Sequence, residues 1–260
     1  MTHAGALRRA LIFGVASLLA FVTGLAVWFP AGLALRALPA PYSCAEPGGT
    51  LWRGRCADLR HGDTRLGAVS WTLRALPLVT GRVAADVAWS AIDSRVSARV
   101  DARLSGRASL RDLRGDIDVI TLRALPLWPP SLIADWPPGE GRVRLDLSKL
   151  DLDGQRLAGI VGTIDADDLV SVGRERWLLG DYRLAWRDGP QPVGELTDRG
   201  GPIELKATLR PIAEAPSAPP GGAWTLTGSV RARDAAWRSR LMVFGPADTA
   251  GRHALSVEWR

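Results

Sequence analysis

The sequence predicts a mainly β protein: an N-terminal transmembrane helix followed by a curved antiparallel β-sheet meander in the periplasm. Three observations carry that expectation. A single uncharged apolar stretch runs from Leu11 to Phe29. Beyond it, apolar residues recur at every second position, as in Val96, Ala98, Val100, Ala102 and Leu104, in Val143, Leu145 and Leu147, and again at Trp224, Leu226 and Val230. Glycine or aspartate punctuates the gaps, as in Ser105-Gly106, Arg114-Gly115, Asp153-Gly154 and Asp188-Gly189. Period two is the mark of a strand with one buried face, and no long window past Ala40 repeats at i, i+3, i+4 and i+7. Helix beyond the apolar stretch is therefore expected to be short, with Pro130 to Trp136 as its best candidate.

The apolar stretch is long enough to act as an anchor, because about 20 residues at 1.5 Å each cross a hydrocarbon core of roughly 30 Å. Arg8 and Arg9 precede it, whereas the first basic residue after it is Arg36. The positive-inside rule then leaves residues 1–10 as a cytoplasmic tail, 11–29 as a transmembrane helix and 40–260 as a periplasmic β domain of a single-pass protein of the bacterial inner membrane. Trp28 and Phe29 suit the outer membrane boundary, and Pro30 ends the span. A cleaved signal peptide is the competing reading, but no convincing small-x-small cleavage site falls between Val22 and Tyr42, and the run exceeds an h-region of about 7 to 15 residues.

The formal charge of +6 comes from arginine, since the only lysines are Lys149 and Lys206. An exported basic domain meets anionic lipid before nucleic acid. The basic residues are scattered, without a run of five or six, so the excess reads first as the arginine preference of a GC-rich coding sequence.

Further strand-like runs are Thr50 to Leu59, Arg65 to Leu73, Gly81 to Trp89, Arg107 to Leu113, Asp116 to Thr121, Gln155 to Asp165, Trp177 to Trp186, Ile203 to Leu209 and His253 to Trp259. The heptapeptide Thr72-Leu-Arg-Ala-Leu-Pro-Leu78 recurs at Thr121 to Leu127. Each copy is expected to end a strand at its proline, Pro77 or Pro126, which leaves a duplication of the first half open. Proline marks loops at Pro126 to Pro138 and Pro190 to Pro202, with a loop or linker at 211–222. Eleven tryptophans, most at strand-like positions such as Trp52, Trp71, Trp89, Trp186 and Trp224, supply bulk for the core or for a contact surface.

Little in the chain points to catalysis. Cys44 and Cys56 are the only cysteines. In an oxidising compartment they are expected to form a disulfide that closes a short loop, worth about 3 kcal/mol in the chain-entropy account. Together with His61 they have no zinc-site spacing. His61 and His253 lack a nucleophile elbow as partner. Asp165, Asp167 and Asp168 read as a solvated turn at a strand end, and Asp151 to Gly154 as a hairpin turn. No cofactor, metal site or enzymatic activity is expected.

The segment Gly49-Thr50-Leu51-Trp52-Arg53-Gly54, followed by Leu66-Gly67 and Trp71 and by a leucine-rich stretch through Pro77 to Gly81, resembles the type II secretion system protein N family. The resemblance covers about residues 7 to 90, including Ala37-Leu38-Pro39 after the anchor. It implies an accessory inner-membrane component without enzymatic activity, whose partners are the other bitopic inner-membrane subunits and the outer-membrane secretin. Cys44 and Cys56 are not part of the family pattern. A second resemblance, to the AsmA-like periplasmic proteins, implies lipid binding or transfer along an apolar concave face, although those chains are usually much longer.

Overall fold

A computed structural model of the chain describes residues 27–103, 105–125, 139–154, 156–173, 175–189, 191–212 and 223–259, with isolated positions between 13 and 24. About half of the apolar stretch therefore lies outside the described residues, as do the helix expected at Pro130 to Trp136 and most of the 211–222 segment. Among the described residues no helix is long and apolar enough to cross a membrane. The chain divides into two compact units, Met1–Leu73 and Arg74–Arg260.

In the first unit a short helix, Ala31–Leu35, precedes β1 (Tyr42–Cys44), β2 (Pro47–Gly49), β3 (Arg53–His61) and β4 (Thr64–Arg74). β3 pairs with β1 and β2 along one edge and with β4 along the other, all antiparallel. Its burial alternates strictly, with Gly54, Cys56 and Asp58 buried between exposed Arg53, Arg55 and Ala57. Cys44 and Cys56 form the expected disulfide, Cα to Cα 5.9 Å, joining β1 to β3. The Asp58 carboxylate, also on the buried face, meets Arg60 Nη2 at 2.7 Å and Arg65 Nε at 2.9 Å. Its hydrogen bond from Arg60 holds it below the ordinary carboxylate range against the pull of burial.

The second unit is a meander of β5 (Arg82–Ala91), β6 (Ser94–Arg103), β7 (Arg107–Asp118), β8 (Gly139–Asp153), β9 (Arg156–Val172), β10 (Arg176–Trp186), β11 (Gly194–Gly200), β12 (Ile203–Pro211), β13 (Trp224–Ala232) and β14 (Arg252–Trp259). Each strand pairs antiparallel with its neighbours in chain order. The sheet is thus mainly β and antiparallel, as the period-two pattern predicts. Pro211 pairs with Trp224, so the proline-rich segment between them joins two adjacent strands.

The alternation sorts the side chains into two faces. A register row on one face reads Trp89, Val96, Gly115, Leu145, Ile164, Leu184, Leu196, Ala207, Gly228 and Leu255. Leu147, Ile160 and Trp186 form the centre of this face, covered by Leu113, Leu150, Ile164, Leu184 and Leu209. The indole N–H of Trp186 finds no acceptor among the described residues. That costs about 1–3 kcal/mol, less than the roughly 4–6 kcal/mol gained by burying 150–250 Å² of ring. A Cβ on Gly228 would lie 2.1 Å from Lys206 O, and one on Gly115 2.1 Å from Arg95 O. Neighbouring backbone occupies the side-chain space at both positions, so the sheet bends toward its apolar face there.

Several local expectations are corrected. β7 stops at Asp118, and Val119–Ala124 is helical where the pattern predicted strand to Thr121. Asp118 accounts for the switch, because its Oδ2 accepts from the N–H groups of Ile120 (3.0 Å) and Thr121 (3.4 Å) as a helix N-cap. The two heptapeptide copies therefore differ in conformation. Thr72 to Arg74 is strand and Ala75–Leu78 a single helical turn, whereas Thr121 to Ala124 is already helix. The segment expected as loop from Pro190 to Pro202 contains β11. Asp165 to Asp168 lies within β9, not in a turn. Trp52 sits in a hairpin corner and Trp237 in the helix Ala235–Leu241, which packs Leu241 on Ile203 and Val230.

Truncating Leu147, 2% exposed at the middle of the apolar face, to alanine is expected to cost about 2–5 kcal/mol. Denaturant unfolding of the variant checks this.

Candidate functional site

The residues that carry the family resemblance converge in the first unit. β2 and β3 form a hairpin whose corner is Leu51 and Trp52, closed by Thr50 N donating to Arg53 O at 3.0 Å. Neither corner residue has positive φ; Gly49 takes that conformation instead, at +81°. A side chain there would also put its Cβ 2.3 Å from Arg53 O, so only glycine fits. Thr50 Oγ1 accepts from Arg53 N at 3.3 Å, fixing the turn from inside.

Each corner group is held from a different direction. Leu51 N donates to Phe29 O at 2.8 Å, and Pro30 bridges to Thr50. Trp71 Nε1 donates to Leu51 O at 2.9 Å. Leu73 N donates to Trp52 O at 2.7 Å. Gly54 pairs directly with Trp71, and a Cβ on Gly54 would lie 2.2 Å from the Trp71 ring. The indole therefore fills the space that glycine leaves. Leu66 is buried on β4, and Gly67, φ +105°, stands opposite Leu59 where the β3–β4 register shifts. The motif is a joint: it ties the chain leaving the apolar stretch, at Phe29 and Pro30, to the hairpin and to β4. Trp52 itself is half-buried.

The other residues singled out by sequence fall elsewhere. Pro77 lies in the helical turn Ala75–Leu78, where its carbonyl accepts from Thr80 Oγ1 at 2.9 Å, and Gly81, φ +68°, closes that turn. Trp28 is 77% exposed, and Arg8 and Arg9 lie outside the described residues. His61 packs edge-on against Tyr42, and buried His253 meets Gly245 O through Nδ1 at 2.7 Å. Among the described residues no group of three His, Cys, Asp or Glu side chains could hold a metal ion.

A charged ladder on the polar face of the second unit escaped the sequence reading. Asp116, Arg144, Asp165 and Arg183 stand directly opposite one another across β7 to β10, alternating in sign. Asp165 is 6% exposed. It accepts from Arg183 Nε at 2.6 Å and Nη2 at 3.0 Å, and Arg199 Nη1 lies 3.4 Å away. The Arg183 hydrogen bond holds the Asp165 carboxyl below its ordinary 3.8, outweighing the desolvation that raises it. The available signal was the i, i+2 spacing of charges within each strand-like run, such as Arg142, Arg144 and Asp146.

Residues 40–256 match the family described as Type II secretion system (T2SS), protein N. The chain belongs to that family. Membership places it among type II secretion components of the bacterial envelope. The type II secretion system protein N of Vibrio cholerae serotype O1 is 34% identical over 83 residues, covering 31% of this chain and 33% of the Vibrio protein. The similarity thus spans about a third of that relative. No solved structure matches.

Two outcomes are expected. Gly54→Ala forces the Trp71 ring off β3 and costs about 1–3 kcal/mol by overpacking. Trp71→Phe keeps the ring but loses the bond to Leu51, costing about 1 kcal/mol. Thermal melts of both variants, with Leu51 amide exchange, check the order. Asp165→Asn is expected to cost about 1–3 kcal/mol at neutral pH. A depressed folded pKa contributes stability above the unfolded value, and that contribution is lost as pH falls through the folded one. The variant's deficit should therefore shrink below about pH 4, as acid-unfolding curves would reveal.

Proposed function

We propose that this protein is an accessory inner-membrane component of the type II secretion system that acts through protein–protein contacts in the periplasm. The family match over residues 40–256 carries the reading. In it, Leu11–Phe29 is a single-pass anchor, residues 1–10 face the cytoplasm and the β domain is periplasmic. The Cys44–Cys56 disulfide fits such an oxidising compartment. The partners are other secretion subunits, first the bitopic inner-membrane proteins and then the secretin.

Strand addition is the contact mode the sheet favours. β14 stands last in the strand order and, among the described residues, pairs with β13 alone. It carries neither proline nor lysine, two common devices that blunt an edge. Arg252 at its start is bonded to Asp248 through both N–H and C=O, and the outer edge around Ala254 and Ser256 offers backbone donors and acceptors to a partner strand. The joint at Gly49 to Gly54 suits the same role, because a contact protein held at a membrane needs its exit segment fixed to its sheet.

A photo-crosslinking residue at Ser256, exposed on β14, tests the reading in native membranes. Capture of a type II secretion subunit is expected. Capture of phospholipid with no protein partner would move the chain to the lipid-handling class.

A further inference from the structure

Cross-strand charges on β5 to β8 depart from the sign alternation of the ladder from Asp116 to Arg183. Arg82 stands opposite Arg103, Arg99 opposite Arg111, and Arg111 opposite Lys149. Like charges directly opposite one another destabilise a sheet. The ladder from Asp116 to Arg183 alternates in sign on the same face, so the basic rows are not a general property of this sheet.

The four arginines, Arg82, Arg99, Arg103 and Arg111, line a groove of about 660 Å³ formed with Arg74, Pro77 and Arg107. Its acidic lining is Asp101, Asp151 and Asp153, fewer carboxylates than the six arginines present. Arg82 reaches Asp101 only at 3.8 Å, and Arg107 reaches Asp153 at 3.5 Å with both side chains more than half exposed. Arg111 donates Nε to Ser109 Oγ at 3.1 Å. The Arg103 guanidinium has no hydrogen bond or ion pair among the described residues, its carbonyl alone accepting from Gly106 N. Asp86 meets Arg74 at 2.8 Å and Arg99 at 3.5 Å, and Asp112 lies 3.3 Å from Arg99, so among the described residues the groove guanidinium groups without an ion pair are those of Arg103 and Arg111.

The end of this groove is apolar. The helical turn Ala75–Leu78 leads through Val79 into β5 at Arg82. Leu76 is 86% exposed and Val79 87% exposed. Arg82, Arg103 and Arg107 lie at that same end of β5, β6 and β7. An apolar tip beside the loosely paired Arg82 and Arg107 and the unpaired Arg103 guanidinium matches a lipid surface in two ways. Branched aliphatic side chains enter the acyl boundary, while guanidinium forks pair with phosphodiester oxygens. An acidic protein segment would satisfy the arginines and leave Leu76 and Val79 in water.

We propose that the Leu76–Val79 tip and the arginine groove of β5 to β8 form a docking surface for anionic phospholipid. This rests on the reading of the chain as a protein held in the inner membrane. The surface adds a second lipid contact outside the apolar stretch, and its arginines supply the salt-sensitive part of the attraction.

The full chain has no free cysteine, so a nitroxide on Val79→Cys is a unique label. It is read in nanodiscs of phosphatidylcholine alone and of phosphatidylcholine with phosphatidylglycerol. Adding phosphatidylglycerol is expected to raise the label's collisions with oxygen and lower those with a water-soluble nickel chelate. The same label on Ile92→Cys, 85% exposed at the opposite end of β5, should not change. Arg103→Glu with Arg111→Glu should abolish the Val79 response, while the unchanged far-ultraviolet circular dichroism of the variant reports an intact sheet. A Val79 label equally water-exposed in both lipid compositions overturns the proposal, whatever the crosslinking at Ser256 returns. Loss of secretion contacts at Ser256 with a retained lipid response would instead remove the secretion reading and leave this one standing.

Discussion

A sheet without a second layer has to cover its own apolar face. In the second unit no β-sheet or long helix packs across that face among the described residues, and the helix Ala235–Leu241 covers only the patch around Ile203 and Val230. The strands cover part of it with their own large side chains. Glycine removes side-chain bulk where backbone must come near, as at Gly115 and Gly228, and large residues fill the hollow that results, as Trp186 does beside Gly194. Burial remains modest: the central cluster has only Leu147, Ile160 and Trp186 below a tenth exposed, with half-buried leucines around them. Such a sheet draws more of its cohesion from backbone pairing and cross-strand pairs than a two-layer domain does.

The opposite face is accordingly charged, and the arrangement of those charges has consequences. Where aspartate and arginine alternate, as from Asp116 to Arg183, Arg144 and Asp165 each meet opposite charges on both sides. Surface pairs of this kind are worth little singly, but Asp165 is buried enough for its two arginines to matter. Where arginine meets arginine, as at Arg82 and Arg103 or Arg99 and Arg111, the sheet bears a cost that ion pairs of Arg82 and Arg99 with Asp101, Asp86 and Asp112 offset only in part. The contrast lies within one unit and on one face, so it cannot be attributed to the composition of the chain, which both regions share.

Much of the fold was legible because period two survives every other uncertainty. Val143, Leu145 and Leu147 alternate with arginine and aspartate, and they form the strand that this predicts. The misreadings have local physical causes. Asp118 ends β7 because its carboxylate caps a helix, and a capping aspartate looks like any other polar strand residue in the sequence. β11 was hidden by flanking prolines, although Leu196 supplies the one apolar contact its row needs. Asp165-Ala-Asp-Asp168 resembles a turn in composition, yet guanidinium groups on β10 and β11 neutralise it, and those partners are distant in sequence. The basic groove was missed for the same reason: Arg99, Arg103, Arg107 and Arg111 are scattered along the chain and become neighbours only when the register is known.

The motif at the start of the first unit was legible as a set of residues but not as a mechanism. Sequence separates Gly54 from Trp71; register makes them partners, and the missing Cβ of one is the binding space of the other. The indole N–H then reaches the carbonyl of Leu51, whose own N–H holds Phe29. A substitution at any of these positions is therefore felt at the others, since the ring cannot keep its hydrogen bond without its seat on glycine. The same chain of contacts couples the hairpin to the segment that leaves the apolar stretch. A force applied there passes through backbone hydrogen bonds into β3 and β4, not through a loose linker. That is the property a membrane-held contact protein requires, and it gives a physical reason for glycine, tryptophan and the turn residues to occur together.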